Sequence, residues 1–326
     1  MSNGAAPAPH YIQSLLAAPT NATLAFVFPG QGSQRVGMGL DACEQFPAAR
    51  EVFALADATL NTPLSKICFE GPEEALTATD NAQPAILAAS LAYLAAAVEA
   101  GALPEKPAFL AGHSLGEYTA LVAAGSLSVA DALLMVRERG RLMANAGETN
   151  PGTLAAILGL DASIVEEICA ECGVGPANYN LPTQTVIGGT PATVERAMEL
   201  AKSRGGKALP VKVSGAFHTS LMAPAAEQFA RVVDDFTIRE PQVPVVSNVT
   251  GRPLTDAGDV RRDLREQIMK PVRWQQTIDF LTSAGVTHFV EIGPGRILTN
   301  MLKRGAPDAA VRSIDSVEAL SAKSHV

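Results

Sequence analysis

Short apolar runs alternate with longer stretches of helical periodicity along most of this chain. Apolar runs bounded by turn residues predict strands at residues 24–28, 108–111, 243–247 and 287–292. Helical periodicity predicts helices at residues 41–56, 73–78, 83–100, 128–144, 222–236, 259–269 and 277–284. Because strands and helices alternate, we expect a mainly parallel α/β sheet.

The order of the elements changes after Asn150-Pro151-Gly152. The next stretch predicts strands at 153–160, 174–180, 184–189 and 208–213, with helices at 161–172 and 191–203. This β-α-β-β-α-β order is that of the ferredoxin-like split motif. We therefore predict an inserted α+β subdomain at 150–214 within a large α/β domain of residues 22–149 and 215–315. The remaining residues are expected to form a flexible N-terminal tail (1–21) and a C-terminal tail (316–326).

Composition and charge narrow the class of protein. The chain has 326 residues, of which 47% are hydrophobic, so it can bury a sizeable core. Its formal net charge of −8 argues against nucleic acid as a partner. The first positive charge is Arg35, so the basic region of a secretory signal peptide is missing. The apolar stretch at 85–98 is too short to span a membrane and is expected to be a buried helix.

The cysteines favour a reducing compartment. Cys43, Cys68, Cys169 and Cys172 are too few for a disulfide scaffold in a chain of this length, so we expect reduced thiols and a cytoplasmic protein. Cys169 and Cys172 have the spacing of a redox or zinc pair. They lie in a helical pattern where that spacing is common, and no second Cys/His cluster completes a tetrahedral site. We expect no metal site.

The segment Gly112-His113-Ser114-Leu115-Gly116 has the strongest chemical signal. It follows the apolar run at 108–111 and precedes a helical pattern, which is the context that a nucleophile elbow requires. Glycines on both sides of the serine allow a sharp turn, and the helix N-terminus supplies N–H groups for a developing oxyanion. The sequence therefore predicts Ser114 as a nucleophile. The alternative is a turn of small residues in which the serine only caps the helix.

A serine nucleophile needs a base, and His218 is the candidate. It lies in a loop that follows the predicted inserted subdomain, and the order serine before histidine matches the hydrolase-like arrangement. The alternative is a structural histidine. No aspartate precedes His218 in an obvious strand-end loop, so a dyad in which a carbonyl orients the imidazole is possible.

Arg139 lies on a helix stripe that is otherwise apolar, together with Ala132, Val136 and Met143. A buried guanidinium needs an anion, and its planar fork fits a carboxylate. The alternatives are an arginine whose head reaches solvent while its stem packs, or one that pairs with a carboxylate of the protein.

Seven motifs in one order carry a family resemblance. They are FVFPGQGSQ (26–34), AGHSLGEY (111–118), the step Arg139-Gly140, GAFH (215–218), SNVTG (247–251), KPVRW (270–274) and EIGPG (291–295). Over residues 22–315 the chain resembles the bacterial malonyl-CoA:acyl carrier protein transacylases and is similar to the acyltransferase domains of polyketide synthases. This resemblance implies a hydrolase-like α/β domain with an inserted ferredoxin-like subdomain.

The resemblance also implies a reaction and its partners. Ser114 would be the nucleophile, His218 the base, and Arg139 the residue that holds the free carboxylate of a malonyl group. The substrates would be a coenzyme A thioester and an acyl carrier protein, in fatty acid or polyketide synthesis. No metal or redox cofactor would be needed.

Four further roles follow from the resemblance alone. The backbone N–H groups of Gln31 and Leu115 would form the oxyanion hole. The carbonyl of Gln267 would orient the histidine in place of an aspartate. Phe217 would face the acyl α-carbon, at a position where many fatty-acid members have serine, and would disfavour an α-methyl group.

The same residues are also compatible with two other functions, and one group of cations is a candidate docking surface. A serine acyl-thioester hydrolase would share Ser114 and His218, but Arg139 argues against it because a plain acyl group has no carboxylate. A non-catalytic carrier-docking scaffold would not need all three residues. The cations Lys202, Arg204, Lys207 and Lys212 are either a docking patch for an acidic carrier protein or charges favoured near a helix C-terminus.

Overall fold

The computed structural model describes residues 8–213 and 215–321. The strands are β1 (Thr20–Phe28), β2 (Lys106–Gly112), β3 (Thr153–Leu158), β4 (Gly175–Leu181), β5 (Gln184–Gly189), β6 (Lys207–Val211), β7 (Val245–Val246), β8 (Pro253–Leu254), β9 (His288–Ile292) and β10 (Ala310–Ile314). The helices α1–α7 are His10–Ala17, Leu40–Gln45, Pro47–Leu60, Leu64–Glu70, Glu73–Thr77, Thr79–Glu99 and Gly116–Ala123. The helices α8–α14 are Val129–Thr149, Ala162–Cys172, Pro191–Ser203, Ala223–Asp234, Ala257–Glu266, Trp274–Ser283 and Ile297–Gly305.

The larger sheet confirms the expected parallel α/β architecture. Its strand order is β10-β9-β1-β2-β7-β8, and every neighbouring pair is parallel except β7 with β8. The carboxyl ends of β1 and β2 lie side by side, since Phe28 pairs with Gly112. Ligands of open α/β sheets bind beyond the carboxyl ends of the strands, so this edge positions the site.

Helix α6 forms the centre of the main core. Among the described residues it is the one helix that is long and apolar enough to cross a membrane. However, 89% of its most apolar stretch of 18 residues is buried inside the protein. The prediction of a buried helix at 85–98 is therefore confirmed, because Ala85 through Ala97 are all buried. A helix that is apolar on every face is typical of the core of a large domain.

The smaller sheet has the order β4-β5-β3-β6 and is antiparallel throughout. Helices α9 and α10 pack on one face through a cluster that includes Ile157, Ile168 and Val194. On the other face, Leu154 and Val186 pack with Ala216, just before the candidate histidine. This is the predicted ferredoxin-like arrangement, and it forms one wall of the site.

The chain ends differ from the tails expected there. Residues 10–17 form α1, and its side chains Tyr11, Ile12 and Leu15 are buried in the main core. At the other end, the N–H of Val317 donates to Asp41 at 2.6 Å. Apolar residues spaced along one helix face drive this packing, and they outweigh the small, Pro-containing composition of the N-terminal segment. Residues 1–7, 214 and 322–326 lie outside the described residues, and the division into domains stays a prediction.

Candidate active site

Ser114 lies in a sharp turn between β2 and α7, and residues 112–116 are called the serine turn below. Its φ is +52°, a conformation that is uncommon for a residue with a side chain. A Cβ on Gly112 would lie 1.9 Å from the carbonyl carbon of Gly116, and a Cβ on Gly116 would lie 2.0 Å from the Phe28 oxygen. Both positions therefore require glycine, and the turn lifts Ser114 above the sheet edge.

Asn248 ties the two sides of the serine turn together. Its Oδ1 accepts from the N–H of Ser114 at 2.6 Å, and its Nδ2 donates to the Gly112 carbonyl at 2.6 Å. Satisfying both buried backbone groups stabilises the strained conformation of the serine. The sequence alone predicts no role for Asn248. The signal available there was its place in the motif SNVTG, directly after a predicted strand.

Two carboxyl groups bind the segment that contains Asn248. Glu117 accepts from the N–H of Asn248 at 2.6 Å, and Asp263 accepts from the hydroxyl of Ser247. The other oxygens of these groups, Glu117 Oε1 and Asp263 Oδ2, are buried and accept no hydrogen bond from the described residues. Burial raises the pKa of Glu117 well above its usual range, and the charge of Asp263 raises it further. Ser247, Asn248, Glu117 and Asp263 are called the supporting cluster below.

His218 faces the serine hydroxyl and is held by carbonyl groups. Its Nε2 lies 2.7 Å from Ser114 Oγ, while its Nδ1 lies 2.9 Å from the Gln267 carbonyl and 3.2 Å from that of Lys270. A carbonyl can only accept, so Nδ1 carries the proton and Nε2 is free to accept from the serine. Burial, aided by the positive charge of Arg139, lowers the pKa of His218 to about 3. The imidazole is therefore neutral near pH 7.

Arg139 is buried beside the same hydroxyl. Its Nη2 donates to Ser114 Oγ at 3.1 Å and to Gln267 Oε1 at 3.0 Å, and its Nη1 donates to Gln83 Oε1 at 2.8 Å. Its guanidinium also lies 5.4 Å from the ring centre of Tyr118. Burial lowers the pKa of Arg139, but a guanidinium remains charged. Ser114, His218, Arg139 and Gln267 are called the reactive cluster below.

The two predicted oxyanion donors lie next to this cluster. Leu115 precedes α7, and Gln31 lies in the loop after β1. Within residues 8–213 and 215–321, neither backbone N–H donates to an acceptor of the protein. A Cβ on Gly30 would lie 2.3 Å from the His113 carbonyl oxygen, so glycine lets this loop lie against the serine turn. Two free N–H groups beside a nucleophile can bind a developing oxyanion.

A cavity of about 780 Å³ opens over the reactive cluster. Ser114 and His218 line it, together with Gln31 and Phe217. Leu154 and Val186 of the smaller sheet form its other wall. This volume lies in the range of cavities that hold organic ligands of moderate size. Phe217 is buried directly before His218, where it can contact an acyl group on the serine.

One of the four cations of the predicted docking patch is ion-paired. Arg204 pairs with Glu167 and with Glu171, each at 2.9 Å. Lys202 and Lys207 are exposed, and Lys212 lies at the cavity. The positive charge of Arg204 is therefore already matched by acidic neighbours.

The cysteines lie away from the cavity. Cys43, Cys68, Cys169 and Cys172 are free and buried. Burial raises the pKa of Cys169 to about 12, so its thiol is protonated near pH 7. In the described part of the chain, no group of three or more His, Cys, Asp and Glu side chains could hold a metal ion.

Comparison with known proteins gives concordant matches. Residues 25–321 match the acyl transferase domain family. The malonyl CoA-acyl carrier protein transacylase of Bacillus subtilis (strain 168) is 49% identical over 287 residues, covering 86% of this chain and 90% of that protein. The crystal structure of FabD from Acinetobacter baumannii has a TM-score of 0.87 and 43% identity, covering 93% of this chain and 96% of that one. In a solved complex of a type II polyketide synthase acyl-carrier protein with its malonyl-transacylase, the matching chain has a TM-score of 0.88 and 40% identity, covering 91% of this chain and 97% of that one.

Proposed function

Because the chain belongs to the acyl transferase domain family, we propose that it transfers a malonyl group from malonyl-CoA to the phosphopantetheine thiol of an acyl carrier protein. The relatives described above carry this activity in their names. One observation carries the proposal for this chain: Ser114 Oγ lies 2.7 Å from His218 Nε2 and 3.1 Å from Arg139 Nη2. A base and a cation that fits a carboxylate thus meet at one hydroxyl.

Acylation starts at the serine hydroxyl. His218 Nε2 takes its proton while Ser114 Oγ attacks the thioester carbon of malonyl-CoA. The N–H groups of Gln31 and Leu115 donate to the oxyanion of the tetrahedral intermediate. When the carbon–sulfur bond breaks, His218 returns the proton to the departing thiolate, so free coenzyme A leaves and a malonyl ester remains on Ser114.

Arg139 holds the ester for the second step. In the malonyl ester, the carbonyl carbon and one CH₂ group separate Ser114 Oγ from the free carboxylate. The guanidinium of Arg139, which lies 3.1 Å from Ser114 Oγ, is therefore within reach of that carboxylate. A bidentate pair here orients the acyl group and balances the buried positive charge. A plain acyl group offers Arg139 no such partner, which favours malonyl as the substrate.

Transfer to the carrier protein reverses the first step. The phosphopantetheine thiol gives its proton to His218 and attacks the ester carbon. The bond to Ser114 Oγ breaks, and the oxygen takes the proton back from His218. The carbonyl of Gln267 keeps the imidazole oriented in both steps, at 2.9 Å from Nδ1. No oxidation state changes, so the reaction needs no redox cofactor. We propose that it needs no metal either, because the N–H groups of Gln31 and Leu115 stabilise the oxyanion that a Lewis acid would otherwise bind. We propose that it takes place in the cytoplasm, in fatty acid or polyketide synthesis.

Mass spectrometry of the intact protein tests this function. After incubation with equimolar malonyl-CoA and acetyl-CoA, we expect one malonyl adduct, which moves to an acyl carrier protein bearing phosphopantetheine when that protein is added. Ser114→Ala should give no adduct, whereas Ser203→Ala, a change at an exposed serine, should label like the wild type. Release of free malonate in place of malonyl-carrier protein would identify a hydrolase. A full adduct on Ser114→Ala would exclude Ser114 as the nucleophile.

A further inference from the structure

Arg139 is a buried cation whose hydrogen-bond partners are all neutral. Its side chain contacts two amide oxygens, of Gln83 and Gln267, and the hydroxyl of Ser114. Among the described residues, none of the ion pairs includes Arg139. A buried charge without a counter-ion is costly, so an uncompensated one favours a ligand that brings the opposite charge.

Gln83 binds the nitrogen of Arg139 that does not contact Ser114. It lies on the apolar helix α6 and is fully buried. Its Oε1 accepts from Arg139 Nη1 at 2.8 Å, while its Nε2 lies 3.4 Å from the sulfur of Met143, a weak acceptor. A glutamate has the same shape and makes a stronger bond to arginine. A neutral amide is therefore the weaker of two partners that fit this position.

The nearest acidic neighbour does not compensate the charge either. Glu117 belongs to the supporting cluster, where its Oε2 accepts from the N–H of Asn248 at 2.6 Å, and among the described residues it forms no ion pair with Arg139. Burial and the charge of Asp263 hold the pKa of Glu117 well above its usual range, which disfavours the charged form that would balance Arg139. The charge of Arg139 is thus left for whatever occupies the cavity next to Ser114.

We propose that Gln83 is a specificity-determining residue that acts through Arg139. Its neutral amide holds the guanidinium beside Ser114 and leaves the positive charge to be balanced by an acyl group that carries its own carboxylate. This inference rests on the proposed function, since it concerns the choice between malonyl and neutral acyl groups at the same serine.

The test is a pair of substitutions at one position. Gln83→Glu supplies a carboxylate of the same shape, which pairs with Arg139 before the substrate arrives. We expect its second-order rate constant for acylation by malonyl-CoA to fall roughly 30- to 3,000-fold, the range for losing a buried charge pair. Acylation by acetyl-CoA should fall by no more than about fivefold, because acetyl makes no ion pair. Gln83→Met keeps the position neutral and unbranched, and it should still prefer malonyl-CoA over acetyl-CoA.

Each outcome decides the inference. Equal losses for both substrates in Gln83→Glu would mean that Gln83 only supports the fold, and would overturn it. An unchanged rate of acylation by malonyl-CoA in Gln83→Glu would show that Arg139 can bind the substrate carboxylate while it is paired with a carboxylate of the protein. That result would also overturn the inference. Loss of the preference for malonyl-CoA in Gln83→Met would show that the hydrogen bond from Arg139 to Gln83, and not the neutral charge of Gln83, determines the specificity. That result would overturn the inference as stated. Failure of the proposed function is seen separately, as a wild-type protein that forms no malonyl adduct.

Discussion

The supporting cluster and the reactive cluster contact the same serine from different ends. The supporting cluster binds the backbone N–H of Ser114, and the reactive cluster binds its Oγ. In the supporting cluster, every member is hydrogen-bonded to another member or to the serine turn. In the reactive cluster, a cation has no carboxylate partner and a histidine is buried in its neutral form.

The two clusters therefore have different roles: the supporting cluster positions Ser114, and the reactive cluster takes part in the reaction at its hydroxyl. Buried polar groups that hydrogen-bond to one another hold the strained turn in one geometry. Groups that lack a counter-charge or an acceptor are ready to bind what the substrate brings, at some cost to stability. Substitutions in the reactive cluster should therefore change rates and substrate choice, whereas those in the supporting cluster should mainly change stability.

The largest effect is expected for His218→Ala. Losing a general base lowers rates by roughly 10²–10⁴-fold, and the single imidazole serves both half-reactions. Quenching the reaction at set times and measuring the adducts by mass spectrometry should show that the rate of acylation by malonyl-CoA and the rate of transfer to the carrier protein fall by similar factors. His288→Ala, a change at a histidine on β9, is the matched control and should leave both rates near those of the wild type. Loss of only one half-reaction would show that a second group shares the role of base.

Arg139→Ala should alter substrate choice more than the chemistry itself. Losing a buried charge-assisted pair costs malonyl about 2–5 kcal/mol, whereas acetyl has no carboxylate to lose. Competitive acylation with malonyl-CoA and acetyl-CoA should therefore shift toward the acetyl adduct. Arg231→Ala is a suitable control, because that arginine is exposed on α11 and does not line the cavity. A fall by the same factor for both substrates would make Arg139 a structural residue.

Phe217→Ser should reduce the preference for malonyl over methylmalonyl groups. The bulky ring lines the cavity directly beside His218 and should crowd an α-methyl group. Excluding one methyl group by shape is worth about 1–3 kcal/mol, or roughly 10–200-fold, so the serine variant should gain methylmalonyl adduct within that range. Malonyl use in the same variant should stay similar or fall slightly. An unchanged adduct ratio would mean that selectivity lies elsewhere.

Asn248→Ala tests the supporting cluster. It leaves the Ser114 N–H and the Gly112 carbonyl without their partner, and each buried group so orphaned costs about 1–3 kcal/mol. Denaturant unfolding should show a lower free energy of unfolding, with acylation reduced less than in His218→Ala. Asn300→Ala, at an exposed asparagine, should change stability by less than about 0.5 kcal/mol. An unchanged free energy of unfolding in Asn248→Ala would contradict the stabilising role of the supporting cluster.

The smallest expected effect is that of pH on the rate of acylation. Because burial and Arg139 lower the pKa of His218 to about 3, its neutral form persists through mild acid. Acylation rates should therefore change less than about twofold between pH 5.5 and 8, whereas a histidine near its ordinary pKa of about 6.5 would lose most of its base form. The unfolded chain binds a proton at this histidine between about pH 6.5 and 3 and the folded chain does not, so its contribution to stability is lost as the pH falls through that window. His218→Ala should remove that part of the pH dependence of unfolding.

The local features of the site could be predicted from the sequence. The strand, turn and helix around Ser114 follow from short-range patterns, because the glycine spacing decides which backbone angles are possible. Periodicity likewise indicated that Arg139 lies on a buried helix face, and the order of elements predicted the ferredoxin-like subdomain. The N-terminal helix was missed, although Tyr11, Ile12 and Leu15 lie on one face of it. Composition alone had suggested a tail there.

Only the tertiary structure decided which distant residues meet at the serine. Asn248 lies 134 residues from Ser114, and it reaches the serine turn because β7 pairs with β2. Gln83 lies 56 residues from Arg139, and their contact depends on how α6 packs against α8. Local periodicity encodes the face that an element buries but not the neighbour that it packs against. That neighbour is set by the strand order and by the close packing of the whole core, so the uncompensated charge of Arg139 became visible only in three dimensions.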